Sequence, residues 1–106
     1  MVDQSIILVV KKYLAQLQLT GIHATSAVLF GSFATGRGNE DSDIDLIIIA
    51  PEFDGVKEIE SIKNLWRATV IDSRIEPIPC GKEEWQFNQN RPIIEIARRE
   101  GIIIAA

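Results

Sequence analysis

Cysteine is nearly missing from this chain. Cys80 stands alone, so no disulfide can close within it, which fits a reducing compartment such as the cytoplasm. No apolar run approaches the roughly 18 residues needed to span a bilayer. The start Met1-Val2-Asp3-Gln4 lacks the basic opening of a signal peptide. Together these absences predict a cytoplasmic protein with no membrane partner. Positive charge is also scarce: 11 Lys and Arg against 15 Asp and Glu give a formal net charge of -4. Proteins that track a nucleic-acid backbone set Lys and Arg against its phosphates. With no basic stripe, long DNA or RNA is not an expected ligand. A single nucleotide is not excluded, because metal ions can stand between two negative partners. His23 is the sole histidine and has no His or Cys partner at metal-ligand spacing, so it reads as a surface or satisfied residue. Nothing near Cys80 would activate a thiolate, and it reads as a small hydrophobe. Repeats, low-complexity tracts and linkers are absent.

What is present is an ordinary globular composition, with 46% hydrophobic and 25% charged residues in 106. That length suits one domain over residues 1–106 with one core. Ile6, Ile7, Val10, Leu14 and Leu17 recur at helical spacing from Asp3 to about Leu19. Asp3 can cap that helix, and Gly21 can end it in a left-handed turn. Ala27 to Phe30 reads as a short buried strand, followed by a helical turn or two over Phe33 to Thr35 that Gly36 breaks. Arg37 to Ser42 is a loop. Ile44 to Ala50, rich in β-branched residues and stopped by Pro51, predicts a central strand. Ile59, Ile62, Leu65, Trp66 and Val70 predict a helix with Asp54 as its cap and Trp66 in the core. Ser73 to Pro79 predicts a strand whose prolines, Pro77 and Pro79, place it at an edge. Trp85 and Phe87 sit in a polar segment where they could cover the sheet, a partner or an adenine ring. Pro92 opens a short helix ending near Gly101, and Ile102 to Ile104 is a last strand or an interface. This order implies α+β, α/β-like architecture: a single domain with one mixed β-sheet packed against helices.

The chemistry-bearing residues cluster in the first half. Asp43 and Asp45 are two positions apart at the head of a strand, so both carboxylates point to one side while Ile44, Leu46 and Ile48 point to the other. Neighbouring carboxylates repel unless a cation or proton lies between them. Mg²⁺ is typically held by one or two carboxylates together with substrate phosphate oxygens. Upstream, Gly31-Ser32 follows a strand. Glycine there allows close backbone approach to phosphate, and the amides that follow attract anions. Either element alone is weak evidence; the pair at this spacing is specific.

Gly31-Ser32, ten intervening residues and then Asp43-Ile44-Asp45 on a strand resembles the signature of the DNA-polymerase-β-like nucleotidyltransferase superfamily. Leu29-Phe30-Gly31-Ser32-Phe33-Ala34-Thr35-Gly36 with Asp41-Ser42-Asp43-Ile44-Asp45-Leu46 is similar to its minimal, single-domain branch. Ile75-Glu76-Pro77 and Arg99-Glu100-Gly101-Ile102 are weakly similar to that branch's late segments. The resemblance implies that Gly31 and Ser32 hold the triphosphate of ATP and that Asp43 and Asp45 bind Mg²⁺. It implies a third carboxylate on a neighbouring strand, for which Glu76 is the candidate and Asp72 the runner-up. Many minimal members carry an arginine where this chain has Phe33 or Thr35, which leaves Arg37 as the candidate for triphosphate neutralisation. The implied reaction moves a nucleoside monophosphate, AMP from ATP, onto a hydroxyl. A chain this short has no second domain for the acceptor, so a partner protein or a second subunit in a homo-oligomer is expected to present it. Within the minimal branch the partner is a helical HEPN-type protein, in pairs that act as antitoxin and toxin. The rival reading is a nucleotide-binding antitoxin that acts by contact without catalysis.

Overall fold

The computed structural model describes residues 3–88 and 90–106. Helix α1 runs Gln4–Leu19, capped by Asp3, whose Oδ1 accepts from the Ser5 amide at 2.8 Å. Its apolar stripe of Ile6, Val10, Tyr13, Leu14 and Leu17 is buried, and Gly21 leaves the helix with φ +90°. Burial of Tyr13 is made tolerable by a partner for its hydroxyl, which donates to the Leu65 carbonyl at 2.8 Å.

Four strands follow: β1 Ser26–Phe30, β2 Ile44–Ile49, β3 Ile75–Cys80 and β4 Ile102–Ala105. They form one mixed sheet in the order β3-β2-β1-β4. The β1–β2 and β1–β4 pairs are antiparallel, and β2–β3 is parallel. As its composition predicts, β2 is central, and the proline-bearing β3 lies at an edge. Side-chain alternation divides the core between the two faces of this sheet. Ile44, Leu46 and Ile48 join Ala27, Leu29 and Ile75 under α1 and under helix α2, Ile59–Arg67. Val28, Phe30, Ile47, Ile49 and Cys80 face the other way, against Ile94 and Ala97 of helix α4, Pro92–Glu100. The sequence parity of Asp45 and Glu76 puts both on this second face.

Two expectations are corrected. Asp54 does not cap α2, whose N-cap position is held by Glu58 without a side-chain bond. Instead Asp54 accepts from the amides of Glu83 and Glu84 at 3.1 and 3.2 Å, at the start of a helix α3, Lys82–Phe87, that the sequence pattern did not reveal. The reason is the parallel register. Ile49 lies beside Cys80, so the chain leaving β2 meets the chain leaving β3. Trp66 is not core: it is 51% exposed, and α2 meets the sheet through Leu65 and the residue after its end, Ala68. The helix is rotated so that the stripe of Ile59, Trp66 and Val70 faces outward. Trp85 does cover the sheet, with the Arg98 guanidinium 5.2 Å over its ring, while Phe87 is exposed. Among the described residues no helix is long and apolar enough to cross a membrane.

Candidate active site

Strand β1 ends at Phe30, opposite Asp45 of β2. Gly31 then turns the chain with φ +74°, a conformation that residues with a Cβ adopt only at a cost. A second constraint acts at the same residue. A Cβ on Gly31 would overlap Asp45 Oδ2 and lie 3.2 Å from Asp45 Cγ. The glycine is therefore required both for the turn and for the approach of the Asp45 carboxylate to the backbone. Gly31–Phe33 winds into a single 3₁₀ turn, and the first amides of such a turn have no carbonyl partner within it.

The loop from this turn back to β2 is held by its own polar groups. Thr35 Oγ1 donates to the Gly31 carbonyl at 3.2 Å, and the Arg37 amide donates to the Ser32 carbonyl at 2.9 Å. Further on, the Asn39 amide donates to Ser42 Oγ, and Asn39 Oδ1 accepts from the Asp41 amide. These Asx and Ser bonds shape the return to Asp43. At the start of β2 the Ile44 amide donates to the Arg74 carbonyl at 2.8 Å, locking β3 alongside.

That locking places Glu76 directly beside Asp45 in the parallel register. Adjacent strands stand about 4.8 Å apart, so two carboxylates on one face are near neighbours. Burial pushes the Asp45 carboxyl above its ordinary value, and the negative charges of Asp43 and Glu76 push it further the same way. Among the described residues no Lys, Arg or His forms an ion pair with any of the three. Asp72, the alternative third carboxylate, already has a cationic partner. Arg74 Nε and Nη2 donate to it at 3.0 and 2.8 Å, and this bond holds Asp72 below the usual carboxylate range.

Arg74 is a residue that sequence reasoning missed. Besides binding Asp72, its guanidinium lies 6.0 Å over the ring of Phe33, in the glycine-serine turn. The available signal was the Asp-x-Arg spacing just ahead of β3. Arg37, by contrast, is exposed, and its Nε donates to Thr35 Oγ1 at 3.0 Å. His23 is satisfied by Glu52, its Nδ1 lying 2.7 Å from Oε2, and Cys80 is buried with its thiol pushed up to about 12 by burial.

An all-oxygen, uncompensated acidic group suits a hard divalent cation rather than a soft one. Among the described residues no three His, Cys, Asp or Glu side chains already converge as a complete metal cage. A model of the nucleotidyltransferase domain family matches residues 9–102, most of the chain.

The chain belongs to the nucleotidyltransferase domain family. A solved structure from Sulfolobus solfataricus, whose own assignment as a nucleotidyltransferase is provisional, shares the fold. Its TM-score is 0.66 at 14% identity, covering 93% of this chain and 78% of that one. Comparison with curated proteins finds no match. The turn, both aspartates and Glu76 all fall inside the matched span of this nucleotidyltransferase domain.

Proposed function

We propose that this nucleotidyltransferase domain moves AMP from ATP onto a hydroxyl of a partner protein, releasing pyrophosphate. The observation that carries this reading is the meeting of Gly31, Asp45 and Glu76 at one end of the sheet. Gly31 and Ser32 would receive the triphosphate at the turn, with the backbone close enough to donate to its oxygens. Asp43 and Asp45 would hold Mg²⁺, and Glu76 would complete the acidic group. Bound Mg²⁺ would supply neutralisation of phosphate charge as it shifts during transfer. The acceptor oxygen bonds to the α-phosphorus, and the bond from that phosphorus to the bridging oxygen breaks. Glu76 takes the acceptor's proton, and the electron pair leaves with pyrophosphate. Catalysis of this kind is positioning and electrostatics, so register and turn geometry matter more than any one reactive side chain.

The described residues form one sheet and its helices. A helical HEPN-type protein is the acceptor we favour, on the strength of the resemblance to the minimal branch; a second copy of the chain is the alternative. ATP labelled at the α-phosphate, with Mg²⁺ and the partner, tests the reading. Label should move to the partner with wild type and not with Asp45→Asn or Glu76→Gln. The incomplete metal cage favours one rival, a nucleotide-binding antitoxin that works by contact. A stable complex with no transferred label would establish that rival instead.

A further inference from the structure

We infer that the outer face of α2 is a docking surface for an acidic-rimmed amphipathic helix of another protein. Along an α-helix successive residues turn by about 100°. Ile59, Lys63 and Trp66 therefore share one side, and Leu65, the residue that α2 buries, points roughly 100° or more away. The two apolar stripes serve different purposes. Leu65 is fully buried against the domain core, while Ile59 is 75% exposed, Trp66 51% and Val70, just beyond the helix, 82%. A shallow groove of about 550 Å³ runs along this side, lined by Lys57, Ile59, Ile62, Lys63, Trp66 and Arg67. Contiguous exposed apolar surface of this kind, centred on an aromatic residue, is characteristic of interaction sites.

Charge decides the occupant. The six lining residues include three of the chain's 11 Lys and Arg and none of its 15 Asp and Glu. A chain of net charge -4 thus sets cations around this apolar groove. Lys57 pairs with Glu84 at 3.8 Å and Arg67 with Glu60 at 2.5 Å, both acids outside the groove lining, and Lys63 has no ion pair among the described residues. Two copies meeting through this face would set like charges against each other. A partner with Asp and Glu flanking an apolar stripe is complementary, and an outward stripe at helical spacing matches the helix-in-groove mode. The groove contains none of Gly31, Asp43, Asp45 and Glu76, and α2 packs on the opposite face of the sheet. A helix seated there leaves the phosphate end open. The inference does not rest on nucleotidyl transfer, and its test uses no nucleotide.

The probe is a fluorescein-labelled amphipathic helical peptide with a leucine stripe flanked by glutamates, alongside a twin flanked by lysines. Anisotropy titration of the full chain should show saturable binding of the glutamate peptide, at least about tenfold tighter than its twin. Lys63→Glu with Arg67→Glu should reverse that preference, and Trp66→Ser should weaken both peptides by about tenfold or more. All three positions are exposed or rim the groove, so the melting temperature of these variants should stay close to wild type. No saturable binding overturns the proposal, as does binding that ignores the α2 substitutions. Competition by single-stranded oligothymidylate that the same substitutions abolish overturns it in favour of a nucleic-acid surface. A sedimenting dimer dissolved by Trp66→Ser overturns it in favour of self-association.

Discussion

Replacing Gly31 with alanine separates two contributions that the structure superimposes at one residue. The first is backbone strain. Gly31 has φ +74°, and holding an L-residue there costs about 1–2 kcal/mol. The second is local: the new Cβ overlaps Asp45 Oδ2 and lies 3.2 Å from its Cγ. The carboxylate can escape by rotating off its preferred rotamer, at about 0.5–1.5 kcal/mol. Gly36 supplies the control, since its φ is +78° and an added Cβ there meets nothing within 4 Å. Gly36→Ala therefore measures strain alone, less the roughly 0.4–1 kcal/mol gained by restricting the unfolded chain, a gain common to both variants. In urea denaturation Gly31→Ala should exceed Gly36→Ala by about 1 kcal/mol, or roughly 4–8 °C in melting temperature for a domain of this size. In an Asp45→Ala background the excess should vanish, because only the Cβ contact at 3.5 Å remains, an ordinary van der Waals distance. Equal costs for the two glycine variants, or an excess that survives without the Asp45 carboxylate, would refute the close approach on which the site depends.

Two further outcomes are expected. Asp45 has a native pKa raised above the ordinary 3.8, so its ionisation opposes folding, and stability falls as pH rises through the raised value and stays lower at neutral pH. Asp45→Asn should accordingly melt higher than wild type at pH 7 without ligand, an advantage that disappears below about pH 4. With Mg²⁺-ATP at about a hundredfold its Kd, wild type should gain about 2.7 kcal/mol and the variant nothing; a variant that melts lower alone and keeps the ligand gain would contradict the assignment, both readable by scanning fluorimetry. Asp54→Ala should cost about 1 kcal/mol through the lost cap of α3, and hydrogen exchange should quicken in Lys82–Phe87 rather than in α2; quickening in α2 instead would restore the capping role that the sequence suggested.

What was legible in the sequence is what local chemistry decides. Asp3 and the Ile6-to-Leu17 stripe define α1, the β-branched run defines β2, and Pro77 with Pro79 mark β3 as an edge. The paired aspartates and the glycine-serine turn were readable because their spacing is itself the signal. What could not be read depends on which strand ends meet. Asp54 looks like a cap for the nearest downstream helix, and only the parallel β2–β3 register carries it to α3. Trp66 completes an apolar stripe on paper, yet α2 has two such stripes and the sheet receives the one through Leu65. The environments of Glu76 and Asp72 likewise differ through Arg74. Its bond to Asp72 is local, but its consequence for the site appears only when Glu76 is seen in register with Asp45.

The carboxylates also show where folding and function part. The fold has cations to spare for neutralising acids: Arg74 for Asp72, and Arg91 and Lys57 for Glu84. Yet it leaves Asp43, Asp45 and Glu76 together with no such partner among the described residues, and half-buries the one in the middle. One arginine in reach would relieve the repulsion and stabilise the domain. On the proposed function it would also occupy the place of a cation carrying a triphosphate, and would trade a removable charge for a fixed one. A site that must bind a charged group and then release it cannot be neutralised in advance. The unfavourable ionisation of Asp45 is therefore the property through which ligand binding and domain stability are linked, and it gives the nucleotidyltransferase reading a thermodynamic signature independent of any acceptor.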